Sequence, residues 1–279
     1  MKKYDSAVQL IDTHCHVIHM IDKSSIQAFS NNEIQEIRKI LHQAALKNVT
    51  HMIEIGTTRI DSALALEIAK LFEQVSAVVG MHPHEAQRDY HKDLDYIKKL
   101  LASHNQKIVG VGECGLDKHY PGYNITAQID LFKAHIELAL EYNKALVVHT
   151  RDAQDETYAV LEQYKQDLTR VVIHCYSNDL QFAQAVTSWG WFLGIGGTIT
   201  YPKNNLLRDI VKTIGIEHIV LETDAPFLPP QTIRGKKNSP DHTSTIAEFV
   251  AHITDRSLEH VALVSTRNAK KLFNLEQLA

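Results

Sequence analysis

Eight short runs rich in valine and isoleucine recur along this chain, separated by longer segments with helical periodicity. The runs lie at 8–12, 50–55, 77–81, 108–112, 145–148, 170–173, 191–195 and 218–222. Two separating segments, 33–47 and 126–143, place apolar residues at steps of three and four with charges opposite, which is typical of amphipathic helices. Ile129, Phe132 and Ile136 follow one such face and are predicted to pack against a sheet.

Strands that alternate with helices over about 250 residues predict parallel pairing and closure of the sheet on itself. We therefore expect an α/β fold, a (β/α)8 TIM barrel, as a single domain over residues 1–279. An open, doubly wound sheet is the alternative, but no glycine-rich phosphate loop follows the first run. The stretch 226–240, rich in proline and glycine, is expected to form a long loop after the last strand.

Imidazoles and carboxylates follow five of these eight runs. They lie in Asp12-Thr13-His14-Cys15-His16, at Glu113, at His149, at His174 and in Glu222-Thr223-Asp224. The C-terminal strand ends of a βα barrel form one mouth, and residues two apart on a strand share a face, so His14 and His16 can both point to the barrel axis. Ionisable groups buried without a partner are costly, so their convergence indicates a shared cation.

The number of candidate ligands predicts more than one ion. Four imidazoles and two carboxylates exceed the three or four protein ligands usual for one zinc ion, so we expect two divalent ions. Two ions about 3.5–4 Å apart, bridged by a carboxylate, can activate a shared water and polarise an electrophile, which is hydrolase chemistry. Mixed imidazole and carboxylate ligands suit Zn²⁺, Mn²⁺ or Fe, whereas Mg²⁺ prefers mostly oxygen ligands, so the identity of the metal stays open.

The three cysteines, Cys15, Cys114 and Cys175, each follow a candidate ligand directly. Strand alternation turns them toward the helix layer, and we expect small buried apolar side chains. Thiolate ligands are the alternative, but they would require the sheet phase to shift by one residue, which would bury the histidines instead. The odd number and the absence of CxxC spacing favour a reducing compartment over a disulfide framework.

Several further polar residues are expected to support the site. His82, at the end of the third strand, could bind a phosphate oxygen, donate a proton to the leaving group or cap a loop. Glu222 shares the strand phase of Asp224 and is expected one layer deeper, as the partner of a ligating histidine. Basic side chains near the mouth are candidates for binding substrate phosphates: Arg151, Arg234 and Lys236.

Seven segments together resemble the TatD family of metal-dependent deoxyribonucleases, within the amidohydrolase superfamily. They are DTHCH (12–16), GMHPH (80–84), VGECGLD (111–117), VVHTRDA (147–153), IHCYSN (173–178), LETDAPFL (221–228) and RGKKNSP (234–240). The segments appear in the family's order and span nearly the whole chain. His119 and Asn178 depart from the family's usual residues, which bears on substrate specificity and leaves the candidate ligands untouched.

The resemblance implies a dinuclear centre that acts on phosphodiester bonds. Matching the motifs residue by residue, His14, His16 and Asp224 would hold one ion, His149 and His174 the other, and Glu113 would bridge them. Asp224 would also accept the proton of the attacking water. A related branch of the superfamily bridges its metals through a modified lysine on strand 4, whereas this chain has Glu113 there.

Nucleic acid is the partner that the resemblance implies. The expected activity is exonucleolytic attack on single-stranded DNA from a 3′ end, with RNA as a further substrate to test. Hydrolysis of another ester or amide, such as D-aminoacyl-tRNA, is an alternative that the same centre would serve. A non-catalytic metal-binding scaffold is the third hypothesis.

The charge balance limits how a polyanion can bind. Lys and Arg number 29 against 33 Asp and Glu, for a net charge of −4, so no global positive field attracts nucleic acid and its contacts must be local. No run approaches the ~20 apolar residues of a membrane span. The opening MKKYDSAVQLID lacks the apolar core of a secretory signal, and we expect a cytoplasmic protein without membrane contact.

Overall fold

Eight parallel strands follow one another around one sheet in chain order, in a computed structural model that describes residues 8–275. The predicted (β/α)8 barrel is confirmed, because each predicted run corresponds to one strand. The strands are β1 (Leu10–Cys15), β2 (Val49–Ile55), β3 (Val75–Val79), β4 (Ile108–Asp117), β5 (Ala145–Arg151), β6 (Val171–Ile173), β7 (Phe192–Ile195) and β8 (Ile219–Leu221).

Helices fill the intervals between the strands, and two more follow β8. They are α1 (Val17–Met20), α2 (Asn31–Ala45), α3 (Arg59–Leu71), α4 (His91–Ala102), α5 (Ile125–Glu141), α6 (Gln154–Tyr164), α7 (Leu180–Ser188), α8 (Asn205–Ile214), α9 (Thr243–Thr254) and α10 (Leu258–Phe273). The predicted helices 33–47 and 126–143 correspond to α2 and α5. On α5, Phe132 and Ile136 are fully buried and Ile129 is half-buried against the same core, as their spacing predicts. None of the described helices has the length and hydropathy that a bilayer span requires.

The core has two layers. A large outer layer lies between the sheet and its helices, and a smaller inner layer fills the barrel with side chains such as Ile53, Val147 and Val220. Leu272 and Phe273 of α10 belong to the inner layer, so this helix closes the N-terminal end of the barrel. Polar residues are therefore left to the opposite end, where the site forms.

The barrel closes along a seam between β1 and β8. Across it, the buried Asp12 carboxylate accepts hydrogen bonds from the Thr223 amide at 2.9 Å and the Thr223 hydroxyl at 2.5 Å. The amide of Asp224 donates to the carbonyl of His14 at 2.8 Å. These bonds join the first strand to the segment that follows the last strand, and they set His14 beside Asp224.

Two strands continue further than the sequence indicates. We expected the fourth strand to end at Glu113 and the fifth at His149, but β4 runs to Asp117 and β5 to Arg151, paired in register to the last residue. Gly115 permits the close contact, because a Cβ there would lie 2.0 Å from the carbonyl oxygen of His149. The extension carries Asp117 into the mouth of the barrel.

Candidate metal centre

A cavity of ≈ 730 Å³ opens at the C-terminal ends of the strands. Among the described residues that line it are six imidazoles and carboxylates at or just after the strand ends: His16, Glu113, Asp117, His149, His174 and Asp224. His14 is fully buried beneath them. All of these residues except Asp117 are ligands that the sequence proposes, and His14 is the sixth. The structure therefore brings the six proposed metal ligands together.

Glu113 occupies the middle of this group and is only 4% exposed. Its Oε2 lies 3.3 Å from Nε2 of His14 and 4.0 Å from Nε2 of His16. Its Oε1 lies 2.8 Å from Nδ1 of His149 and 3.0 Å from Nε2 of His174. The two oxygens thus face two separate pairs of imidazoles.

On one side of Glu113 lies the group that we term the seam half, made of His14, His16 and Asp224. The Nε2 atoms of the two histidines are 3.2 Å apart, and Oδ1 of Asp224 lies 3.3 Å from Nε2 of His16 and 3.7 Å from Nε2 of His14. Nδ1 of His16 donates to the carbonyl of Ile55 at 3.1 Å, so its Nε2 lone pair is directed to the centre.

On the other side lies the middle half, made of His149 and His174. Nδ1 of His149 is 3.4 Å from Nε2 of His174. Oδ2 of Asp117 lies 3.0 Å from Nε2 of His149 and accepts its proton, so Nδ1 is the nitrogen that faces Glu113 and the centre. Oε1 of Glu222 lies 3.5 Å from Nδ1 of His174, in the supporting place that the sequence predicts for it.

The donor set suits a divalent ion. Nitrogen ligands 2.0–2.1 Å from a tetrahedral zinc ion lie about 3.3 Å from one another, close to the separations on both sides of Glu113. Three groups of described residues hold their ligand atoms within 4.8 Å of each other, and they share members: His14, His174 and Asp224; His14, His16 and Glu113; His82, Glu113 and His149. The sequence divides the ligands differently, since it pairs His174 with His149 and leaves His82 outside.

Buried charge explains why these residues need a cation. Burial would raise the pKa of Glu113, but His174, His14 and His149 hold that pKa well below its ordinary value. Burial would likewise lower the pKa of His16, yet Asp224 beside it raises the value to about 9. The carboxylates stay ionised, and a metal ion would compete with protons for the imidazoles that face them.

His82 caps a loop, one of the roles considered for it, and lies at the edge of the centre. Its Nδ1 accepts the amide proton of His84 at 3.2 Å and caps the 3₁₀ turn Pro83–Gln87. Its Nε2 lies 3.9 Å from Oε1 of Glu113, at the edge of the centre. Burial and the neighbouring His149 lower its pKa to about 3, so the ring is neutral, and because Nδ1 accepts a hydrogen bond, Nε2 carries the ring proton and faces the centre as a donor.

Three buried residues that the sequence analysis missed hold the ligands in place. Asp117 could have been found from its phase, since it lies four residues after Glu113 on the same strand. Glu54 accepts the amide protons of Val17 and Ile18 at 2.8 and 3.0 Å, which fixes the backbone after His16, and a carboxylate inside the apolar run 50–55 is the signal for it. His135 on α5 accepts the amide proton of Met81 at 3.0 Å and so supports the segment before His82.

The cysteines differ among themselves. Cys15 and Cys114 are fully buried in the outer core, as expected. The expectation for Cys175 is wrong, because this residue is half-buried and lines the mouth cavity. Strand β6 ends at Ile173, so alternation no longer applies, and a φ of 45° turns the chain at Cys175.

The basic candidates occupy different places. Arg151 lines the mouth cavity, with its guanidinium carbon 5.4 Å from the centre of the Tyr120 ring. Arg234 lies over the ring of Tyr201 at 4.4 Å and lines an adjoining cavity. Lys236 is exposed, and it is not among the described residues that line either cavity.

Comparison with known proteins identifies the family. The sequence model of the TatD-related DNases matches residues 11–274. The chain belongs to the TatD-related DNase family.

Full-length relatives of this TatD protein are described as metal-dependent hydrolases. The uncharacterized metal-dependent hydrolase YabD of Bacillus subtilis is 28% identical over 266 residues, which are 95% of this chain and 99% of YabD. The uncharacterized metal-dependent hydrolase YcfH of Escherichia coli is 29% identical over 267 residues, or 96% of each chain. The crystal structure of YjjV, a TatD homologue from E. coli K12, superposes with a TM-score of 0.86 at 28% identity and covers 96% of this chain and 99% of YjjV. This chain is a TatD-family metal-dependent hydrolase.

Proposed function

We propose that this chain is a nuclease that hydrolyses phosphodiester bonds at a dinuclear divalent-metal centre, with a 3′ end of single-stranded DNA as its substrate. The observation that carries the proposal is the position of Glu113, whose two oxygens face two separate sets of imidazoles at 2.8–4.0 Å. A carboxylate that touched only one set would suit a single ion.

Two bound ions would neutralise the scissile phosphate and lower the pKa of the attacking water. The residues of the chain supply the rest. Asp224 lines the cavity, is held ionised beside His16 and would take up the proton of the attacking water. His82 presents the N–H of its neutral ring at the opposite edge, where it can donate a hydrogen bond to a phosphate oxygen.

The ligand types favour some metals over others. The centre offers at least four imidazoles for two carboxylates, a composition that suits Zn²⁺ or Mn²⁺ better than Mg²⁺. We propose two divalent ions for each chain and expect Mn²⁺ or Zn²⁺ to support turnover at lower concentration than Mg²⁺.

Substrate phosphates would bind to a few local cations, since the chain carries a net charge of −4. Arg151 and Arg234 line the two cavities, and Lys236 lies nearby in the same loop as Arg234. Each phosphate neutralised on a single strand changes the slope of log affinity against log salt by about 0.7, so contacts with about three or four phosphates predict a slope on the order of −2 to −3. Replacing Arg234 and Lys236 with alanine should make that slope shallower without changing metal content.

Metal analysis of the purified protein, followed by digestion of DNA labelled at its 3′ or 5′ end, tests the proposal. The expected result is two equivalents of metal and early release of the 3′ label as a mononucleotide with added Mn²⁺, Zn²⁺ or Mg²⁺. D-aminoacyl-tRNA is incubated in parallel. Loss of the aminoacyl group with intact DNA would replace the nuclease proposal by an ester hydrolase, and a metal-loaded protein inert on both would favour a scaffold.

A further inference from the structure

Two smaller cavities adjoin the mouth cavity, and their charges are opposite. The first, of ≈ 610 Å³, shares Arg151 and Ser177 with it and is lined by four carboxylates against two basic side chains: Asp152, Asp155, Glu156 and Asp179, with Lys118 and Arg151. Lys118 is already paired with Glu156 at 2.6 Å. A chain of phosphates is repelled from this side.

The second cavity, of ≈ 690 Å³, shares Cys175, Ser177 and Thr198 with the mouth cavity. Among the described residues that line it are two cations, Lys203 and Arg234, and no carboxylate. Both cavities include Ser177 in their lining, so a strand that leaves the metal centre past this residue meets a negative wall in one cavity and a positive wall in the other. Charge complementarity therefore directs a polyanion into the second cavity.

A flat stacking surface forms one wall of this second cavity. The guanidinium of Arg234 lies over the Tyr201 ring, with its central carbon 4.4 Å from the ring centre. Bases of single-stranded nucleic acid stack on aromatic rings and on guanidinium planes, and every base offers such a face. The cations and the stacked pair therefore match the two parts of a nucleotide, its phosphate and its base.

Hydrogen bonds fix this wall in advance. The Tyr201 hydroxyl donates to the carbonyl of Pro229 at 3.0 Å, and a guanidinium nitrogen of Arg208 donates to the carbonyl of Tyr201 at 2.7 Å. The amide of Gln231 donates to the hydroxyl of Thr200 at 2.8 Å, which ties the loop after β7 to the loop after β8. A preformed wall loses little freedom when a ligand stacks on it.

We propose that the second cavity is a nucleotide subsite, in which a base of single-stranded nucleic acid stacks on the Tyr201–Arg234 pair while Lys203 and Arg234 bind its phosphate. The proposal rests on the proposed nuclease function and adds to it a direction for the strand, away from the acidic cavity. It also assigns roles to Tyr201 and Lys203, which no motif indicated.

An abasic nucleotide provides the test, because it removes the base and keeps the backbone. Single-stranded DNA with one abasic site, at the terminal, second or third nucleotide, is compared with the intact strand on the native enzyme and on Tyr201→Leu. At one position the native enzyme should lose about fivefold or more in kcat/KM, the lower range for a stacked base. Tyr201→Leu should lose as much on the intact strand and little more on that abasic strand, and Tyr201→Phe should retain the coupling.

Lys203→Gln and Lys212→Gln form the matched charge pair, since both remove one exposed lysine and only Lys203 lines the cavity. We expect a rise in KM and a shallower salt slope for Lys203→Gln relative to Lys212→Gln.

Equal losses for Tyr201→Leu on intact and abasic strands at every position would overturn the subsite while the nuclease function stands. A native enzyme that leaves intact DNA uncut would instead remove the proposed function, and the subsite with it.

Discussion

The seam half and the middle half of the candidate metal centre differ in where their carboxylates lie relative to the imidazoles. In the seam half, a carboxylate stands among the candidate ligands, with Asp224 3.3 Å from His16, and His16 itself is backed by a neutral carbonyl. In the middle half the carboxylates stand behind the imidazoles, with Asp117 3.0 Å from His149 and Glu222 3.5 Å from His174.

We propose that this difference divides the tasks of the centre. A carboxylate behind an imidazole orients the ring and makes it a stronger ligand, so the middle half would hold an ion tightly. A carboxylate among the ligands can exchange protons with water or substrate, so the seam half would take part in the reaction. Glu113 belongs to both, and substitutions can separate these contributions.

Glu113→Gln should have the largest effect, because it removes the charge that the two halves share while conserving volume. We expect kcat/KM to fall by more than 100-fold, beyond the 10–100-fold range of residues that only support a ligand. Circular dichroism should show an unchanged fold, and Glu67→Gln on the exposed face of α3 is the control. A variant that turns over DNA at the native rate would exclude Glu113 from the mechanism.

His14→Ala and His174→Ala should each lower metal content, at different halves. Metal analysis after dialysis should find about one equivalent fewer in each variant, and the double variant should lose both ions. His42→Ala on the exposed side of α2 is the control. If both single variants keep two equivalents, our assignment of these ligands is wrong.

Asp117→Asn should weaken metal binding by about 10–100-fold in the middle half alone, because the amide supports the His149 ring less well than a carboxylate does. Titration against a competing chelator should resolve one weakened site and one unchanged site. Asp130→Asn, on the exposed face of α5, serves for comparison. Equal weakening of both sites would show that the halves are not separately supported.

Thr223→Val should produce the smallest of these effects. It should lower the free energy of unfolding and leave the middle half of the centre unchanged. It removes the 2.5 Å hydrogen bond to Asp12 and leaves a buried carboxylate with one fewer donor, a loss of about 1–3 kcal/mol in the free energy of unfolding. Urea denaturation in the presence of a chelator measures it, with Thr213→Val on exposed α8 as the control. A change equal to that of the control would mean that this bond does not hold the seam.

The strands and the convergence of ligands could be predicted from sequence because they depend on local periodicity. Strand alternation places His14 and Glu113, and barrel closure places them at one end. The phase of Asp117 follows from that of Glu113, but its position in the mouth does not, because the length of β4 depends on its pairing with β5. It also depends on Gln128 of α5, whose side-chain carbonyl accepts the amide proton of Asp117 at 2.8 Å.

The errors also have physical causes. Alternation predicts where a side chain points only while the strand lasts, and Cys175 lies two residues beyond the end of β6. The stacked pair of Tyr201 and Arg234 joins two loops that are 33 positions apart, and no periodic pattern relates them. Positions decided by contacts between loops therefore require the folded structure.

The seam has a consequence for the time at which this protein can become active. Asp12 and Thr223 are 211 positions apart, so a ribosome that has made seven strands has already released His14, His16, Glu113, His149 and His174 without Asp224. Such a nascent chain has β2 beside β1 but lacks both β8 and the Asp224 carboxylate. Because contacts of such long range form slowly, we expect hydrolysis to begin only when the newly synthesised chain has joined its first strand to its last.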